Sequence, residues 1–321
     1  MEFSIFDNLI HLKNNKGLEV ILSPFGASLY DIIFDDKHMM INYAVNEDFS
    51  RDMSAYYGKI VGPYAGRIKD GEYILDNKKY HLPINEGSVS LHSGSISYAF
   101  KKFNYKYEDK DEFYEVTFFK SFKANEFYPA NVDVEVIYRL FEDSNILRVI
   151  IKQNSDIPVI TRIISHGYFN LGGYEDILFH KLWINAQKVS TYDNDLIPTS
   201  LVDVDNVTSF LKSKYITEDI LKITSPRLMG YDHGYKFIKA DKKNPQVILE
   251  SPRYQMNVYT DTTGVQIYTD NFPRDNNLLN NGFIEKKYSA IAIEPMDIYL
   301  KPEESITNAY KRSFKLEFLK K

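Results

Sequence analysis

Residues 131–154 read NVDVEVIYRLFEDSNILRVIIKQN, and their alternation decides the fold class. Val132, Val134, Val136, Tyr138 and Leu140 interleave with Asp133, Glu135 and Arg139. That is the period of a strand with one face against a core. The polar EDSN at 142–145 turns the chain into a second apolar run, so the stretch predicts a β-hairpin. A second hairpin is expected in EYILDNKKYHL (72–82), where Asp76 and Asn77 tolerate the positive φ angles of a tight turn.

The same period recurs along the chain. Further strands are expected at 18–23, 113–120, 159–166, 180–189, 246–250, 255–260, 264–269 and 312–319. Only TSFLKSKYITEDILKI (208–223) reads as helix, and that reading is short and broken. The 25 tyrosines and 21 phenylalanines favour strands as well. No linker, low-complexity segment or fixed-period repeat divides the 321 residues. The expectation is all-β: one large antiparallel β-sandwich domain over 1–321, with very little helix.

Composition narrows function by exclusion. The net charge is −5 and the basic residues are scattered, so there is no electrostatic footprint for nucleic acid or an anionic membrane. The chain has no cysteine, which removes disulfides, thiolate metal sites and cysteine nucleophiles. Its start, MEFSIFDNLIHLKNNKG, carries Glu2 and Asp7 where a signal peptide needs a basic segment and an apolar run. No run approaches the roughly 18 apolar residues of a membrane span. A cytoplasmic protein with a small polar ligand is expected.

Five stretches carry residues suited to chemistry. In GPYAGRIKDGEY (62–73), Arg67 follows Gly62 and Gly66; it is either a fork of donors for a ligand or a surface arginine on a loop. In NEGSVSLHSG (85–94), His92 lies in a polar loop with no metal-ligand spacing around it. In TRIISHGYFNLGG (161–173), Arg162, Ile164, His166 and Tyr168 share one face of an expected strand, so His166 is either a core histidine or an acid/base group. In LMGYDHGYKF (228–237), Asp232 and His233 point to opposite faces and cannot both address one ligand; an Asx-turn is the plain alternative.

The fifth is AIAIEPMD (290–297). Alternation puts Ile291 and Ile293 on one face, and Ala290, Ala292 and Glu294 on the other. Pro295 holds Glu294 in an extended conformation. Glu294 is thus either a carboxylate at a sheet rim or a group facing a cleft for which the two alanines leave room.

Taken in order, GPYAGRI, LPINEGSVSLHSG, ISHGYFNLGG, VSTYDNDLIPTSLVDV, GYDHGYKF, ESPRYQMNVYTDTTGVQIYTDNF and AIAIEPMD resemble the aldose 1-epimerases, the galactose mutarotase family. The resemblance spans nearly the whole chain. It implies a galactose mutarotase-like supersandwich with an open sugar cleft, Glu294 as general base and His166 as general acid. It also implies Arg67, His92 and Asp232 as sugar-binding residues, with neither cofactor nor metal. The chain departs from the family at Gly66 and Ser165, where the family has Asn, at Ser93, where it has Gly, and at Met296, where it has Gln. The segment MDIYLKPEESITNAYKRSFKLEF (296–318) is also shortened, so one cleft wall is expected to differ.

Interconverting α and β anomers takes a proton from the C1 hydroxyl and gives one to the ring oxygen. Base and acid are therefore expected to flank the sugar from opposite sides, each within about 3 Å of its target. Ordinary values of about 4.3 for Glu and about 6.5 for His nearly satisfy both roles, with Asp232 or Glu294 helping to keep His166 cationic. The expected partner is a free hexose such as galactose or glucose, acted on by a monomer or homodimer. A hexose 6-phosphate 1-epimerase calling on Arg162, Arg253 or Arg274, a two-carboxylate glycosidase, and a non-catalytic carbohydrate-binding protein are the rivals.

Overall fold

The computed structural model describes residues 2–274 and 276–321. Its largest element is a nine-stranded antiparallel sheet. The expected hairpin lies inside it as Val132–Phe141 and Ile146–Ile160, paired from Val132 with Ser155 to Leu140 with Leu147. The long Ile306–Lys320 strand continues the sheet from Ile146–Ile160. The Glu72–Leu75 and Lys78–His81 strands form the second hairpin, with Asp76 and Asn77 at φ 50° and 61°.

A six-stranded antiparallel sheet faces the first. Its order across the sheet is Gly167–Phe169, Ile291–Met296, Gly264–Tyr268, Asp232–Phe237, Ala186–Tyr192 and Pro198–Asp203. Side-chain alternation divides it into two surfaces. Ile291, Ile293, Val265 and Ile267 join Val134, Val136, Val258 and Leu316 of the nine-stranded sheet in one buried cluster. Truncating a side chain such as Ile293 there costs about 2–5 kcal/mol. The opposite surface carries Glu294, Gln266, Tyr268 and Asp232, which line a cavity.

Three sequence expectations are corrected. The stretch 159–166 is not one strand: Ile146–Ile160 ends, Arg162 bridges Tyr64, and Ile164–Ser165 pairs with Ile60–Val61. The stretch 180–189 divides at Asn185, with Lys181–Ile184 in the nine-stranded sheet and Ala186–Tyr192 in the six-stranded one. In both places apolar alternation persists while the chain crosses between sheets, so periodicity alone does not see the corner. The helical reading of 208–223 yields only the short Lys214–Tyr215 strand and two single 3₁₀ turns, Ile216–Glu218 and Ile220–Lys222. An α-helix the sequence reading missed spans Asn46–Arg51 and buries Phe49. No helix among the described residues is long and apolar enough to cross a membrane.

Candidate active site

Glu294 sits within the Ile291–Met296 strand with only 3% of its surface exposed, which removes the rim reading. Its cross-strand neighbour is Gln266, whose own neighbour on the next strand is Gly234. The Gln266 amide donates to Asp232 at 2.6 Å. Asp232 opens its strand and faces the cavity instead of capping an Asx-turn, while His233 faces away into a separate pocket.

The alanines have a different role from the one their size suggested. Ala290 and Ala292 are fully buried and belong to a cluster with Tyr57 and Tyr168. Ala292 lies directly across from Tyr168 on one side and Tyr268 on the other. The room they leave is filled by tyrosine rings, and those rings build the site. Tyr168 stacks on His166 with centroids 5.0 Å apart and Tyr56 stacks at 5.8 Å, while His92 meets His166 edge-on at 5.6 Å.

His166 leaves Ser165 and precedes the Gly167–Phe169 strand. Its backbone N–H donates to the Lys59 carbonyl, and its own carbonyl accepts from Gly58. The imidazole Nε2 thereby lies 3.2 Å from Oε1 of Glu294, with both side chains buried. The two groups stand side by side, correcting the expectation of opposite sides: no sugar ring fits between them. O1 and O5 of an aldopyranose are both bonded to C1, so neighbouring acid and base groups can address neighbouring oxygens.

Burial also reverses the expected protonation. It pushes His166 down to about 3, with the Arg274 charge adding to the effect. Burial raises Glu294 well above the usual carboxylate range, reinforced by Asp232 and opposed by Arg162 and Arg67. Both shifts follow from removing charge from water. Both directions favour the uncharged forms, a protonated Glu294 beside a neutral His166, and burial rather than a carboxylate partner dominates the His166 shift.

Arg67 opens the Arg67–Lys69 strand, paired with Val89–Leu91. Its guanidinium grips Glu86 through Nε and, at 3.0 Å, through Nη2, and lies 3.7 Å from Asp232. His92 has φ 56°, and its Nδ1 accepts from the Gly66 N–H at 3.0 Å. Burial, then the neighbouring His166 and arginines, push His92 well below the usual histidine range. A neutral ring whose Nδ1 accepts must carry its proton on Nε2, which leaves Nε2–H as a fixed donor.

Arg67, His92, His166, Asp232 and Glu294 thus all line one cavity of about 570 Å³, the size range of small-ligand pockets. The sequence reading did not single out Gln266, Tyr56 or Glu86. Gln266 carries a visible signal, a polar residue between Val265 and Ile267, but its register against Glu294 does not show in one chain.

The aldose 1-epimerase family model matches residues 8–312. An aldose 1-epimerase of Haemophilus influenzae is 30% identical over 295 residues, covering 89% of this chain and 85% of its own. A mouse galactose mutarotase is 30% identical over 244 residues, covering 74% and 69%. A solved galactose 1-epimerase from Lactobacillus acidophilus superposes with a TM-score of 0.89 over 99% of this chain and 98% of its own, at 24% identity. The chain belongs to the aldose 1-epimerase family.

Proposed function

We propose that this protein interconverts the α and β anomers of a free aldohexose, with galactose or glucose as substrate, by acid/base opening and closing of the ring. The observation that carries the reading is the buried His166–Glu294 contact of 3.2 Å inside a cavity ringed by fixed donors and acceptors. Family membership supports it.

The neutral pair and the pair of carboxylate plus imidazolium contain the same number of protons. Shifting one proton from Glu294 to His166 arms the site, and sugar hydroxyls entering the cavity supply the polar surroundings that the charged form needs. Glu294 then takes the O1 proton while the His166 N–H protonates O5. The C1–O5 bond breaks, leaving an aldehyde at C1 and a hydroxyl at C5, and the enzyme pair returns to its neutral form. Rotation about C1–C2 presents the other carbonyl face, and the steps reverse. Arg67, His92 and Asp232 hold the hydroxyls that fix C1 beside the pair.

A phosphorylated hexose is the second reading, because Arg162 and Arg274 line the cavity. Arg274 is already engaged by Glu285 at 3.2 Å and by the Tyr57 hydroxyl at 2.8 Å. Arg253 lies against the Tyr254 ring and is not among the lining residues. Polarimetry of freshly dissolved α-galactose and α-glucose, run beside glucose 6-phosphate, tests both readings. Faster decay of rotation with the free sugars supports the first; acceleration confined to the phosphate ester overturns it.

A further inference from the structure

Gly66 and Arg162 form a matched pair. Gly66 has φ 93°, and a Cβ built on it would lie 2.2 Å from Nη2 of Arg162, far inside contact distance. A side chain at 66 and the guanidinium in its observed place therefore exclude one another. The missing side chain leaves the space that the guanidinium occupies.

Arg162 is held firmly yet incompletely satisfied. Its Nε donates to the Ala65 carbonyl at 2.7 Å, and its guanidinium carbon lies 4.3 Å from the centre of the Tyr64 ring. Its backbone is pinned by Pro63 and Ala65. Only 3% of the residue is exposed, and among the described residues no carboxylate comes within ion-pair distance of it. A guanidinium has five N–H donors, and one is used. Both Arg162 and Gly66 line the cavity that contains Glu294. A buried cation whose partners are one carbonyl and one ring is incompletely compensated, so the remaining donors call for acceptor oxygens from whatever fills the cavity.

We propose that Arg162, admitted by Gly66, is a specificity-determining contact that donates to one hydroxyl of a neutral aldose in this cavity. The acceptor is assigned as neutral because Glu86, Asp195 and Asp232 line the same space and offset the charges of Arg67, Arg227 and Arg274, which leaves no cationic surplus beyond Arg162 itself. The inference rests on the reading of the site as an anomer-interconverting one.

The test is a panel of the preferred aldose, its single-deoxy analogues, the matching uronic acid and the 6-phosphate, assayed by polarimetry with wild type, Arg162→Gln and Arg162→Lys. Wild type should discriminate against one deoxy analogue by at least about tenfold in kcat/KM, the order expected for a charge-assisted hydrogen bond. Arg162→Gln should lose that discrimination at the same ring position and keep it at the others. Arg162→Lys, which retains a cation, should keep part of it and serves if the glutamine variant does not fold. A merely structural role lowers activity on every sugar in proportion, and that outcome overturns the proposal. A wild-type preference of more than about tenfold for the uronic acid or phosphate, lost with Arg162→Gln, overturns the neutral-hydroxyl assignment. If wild type accelerates no sugar, the underlying reading fails instead.

Discussion

His166 Nε2 lies 3.2 Å from Glu294 Oε1, with Tyr168 and Tyr56 stacked on the imidazole. The aromatic packing fixes the ring and the strand fixes the carboxyl group, so the two groups meet in one geometry.

Glu294→Gln removes the base and keeps the volume. The turnover number should fall by about 10²–10⁴, the usual contribution of a positioned acid or base, while KM changes little. Polarimetry with freshly dissolved α-sugar measures both parameters, and a variant that retains most of its turnover would refute the role.

The pH dependence follows from the directions of the two shifts. A lowered histidine takes up its proton only at lower pH, which for His166 is about 3. A raised carboxyl keeps its proton to higher pH, as Glu294 does. Between those limits the pair holds one transferable proton. A plot of kcat/KM should therefore show no limb near the ordinary histidine value of about 6.5 and none near the ordinary carboxylate value of about 4.3. A bell centred between the ordinary Glu and His values would contradict the neutral pair.

Arg67 touches Glu86 and approaches Asp232, not the His166–Glu294 pair. Arg67→Ala should raise KM by about tenfold or more, with a smaller effect on kcat, as expected for lost ground-state binding. Steady-state kinetics on one sugar would show the split; a fall confined to kcat would place Arg67 in the chemistry instead.

Ala292→Val tests the tyrosine scaffold. Two extra methyl groups at a fully buried position between Tyr168 and Tyr268 overpack the cluster, costing about 1–3 kcal/mol. The melting temperature should drop, and kcat should fall with it, because Tyr168 carries the stacked His166. Normal turnover in the folded variant would show that the stack does not position the imidazole.

His180 offers a check outside the site. It is 1% exposed, its Nε2 accepts from the Leu171 N–H at 3.0 Å, and burial pushes it down to about 3. Its ring resonances should stay at the neutral position down to about pH 5 in an NMR titration. Movement between pH 5 and 8 would contradict the assignment.

Much of this architecture is legible in one chain. Alternation in 131–154 marks a hairpin because a strand's side chains alternate whatever it pairs with, and Asp76-Asn77 marks a turn because few residues accept positive φ. The order Ala290, Ala292, Glu294 on one face, with Ile291 and Ile293 on the other, is likewise a local fact. These features depend on covalent geometry and on neighbours within a few residues.

Tertiary structure alone decides the rest. Arg67, His92, His166, Asp232 and Glu294 are spread over more than two hundred residues, and only strand register brings them to one cavity. The small size of Ala292 is visible in the sequence, yet what fills the space beside it depends on Tyr168 arriving from another strand. The protonation of His166 and Glu294 is set by burial, a property of everything packed around them. So is the fit of Arg162 against Gly66, two residues whose chemistry is local but whose meeting is not.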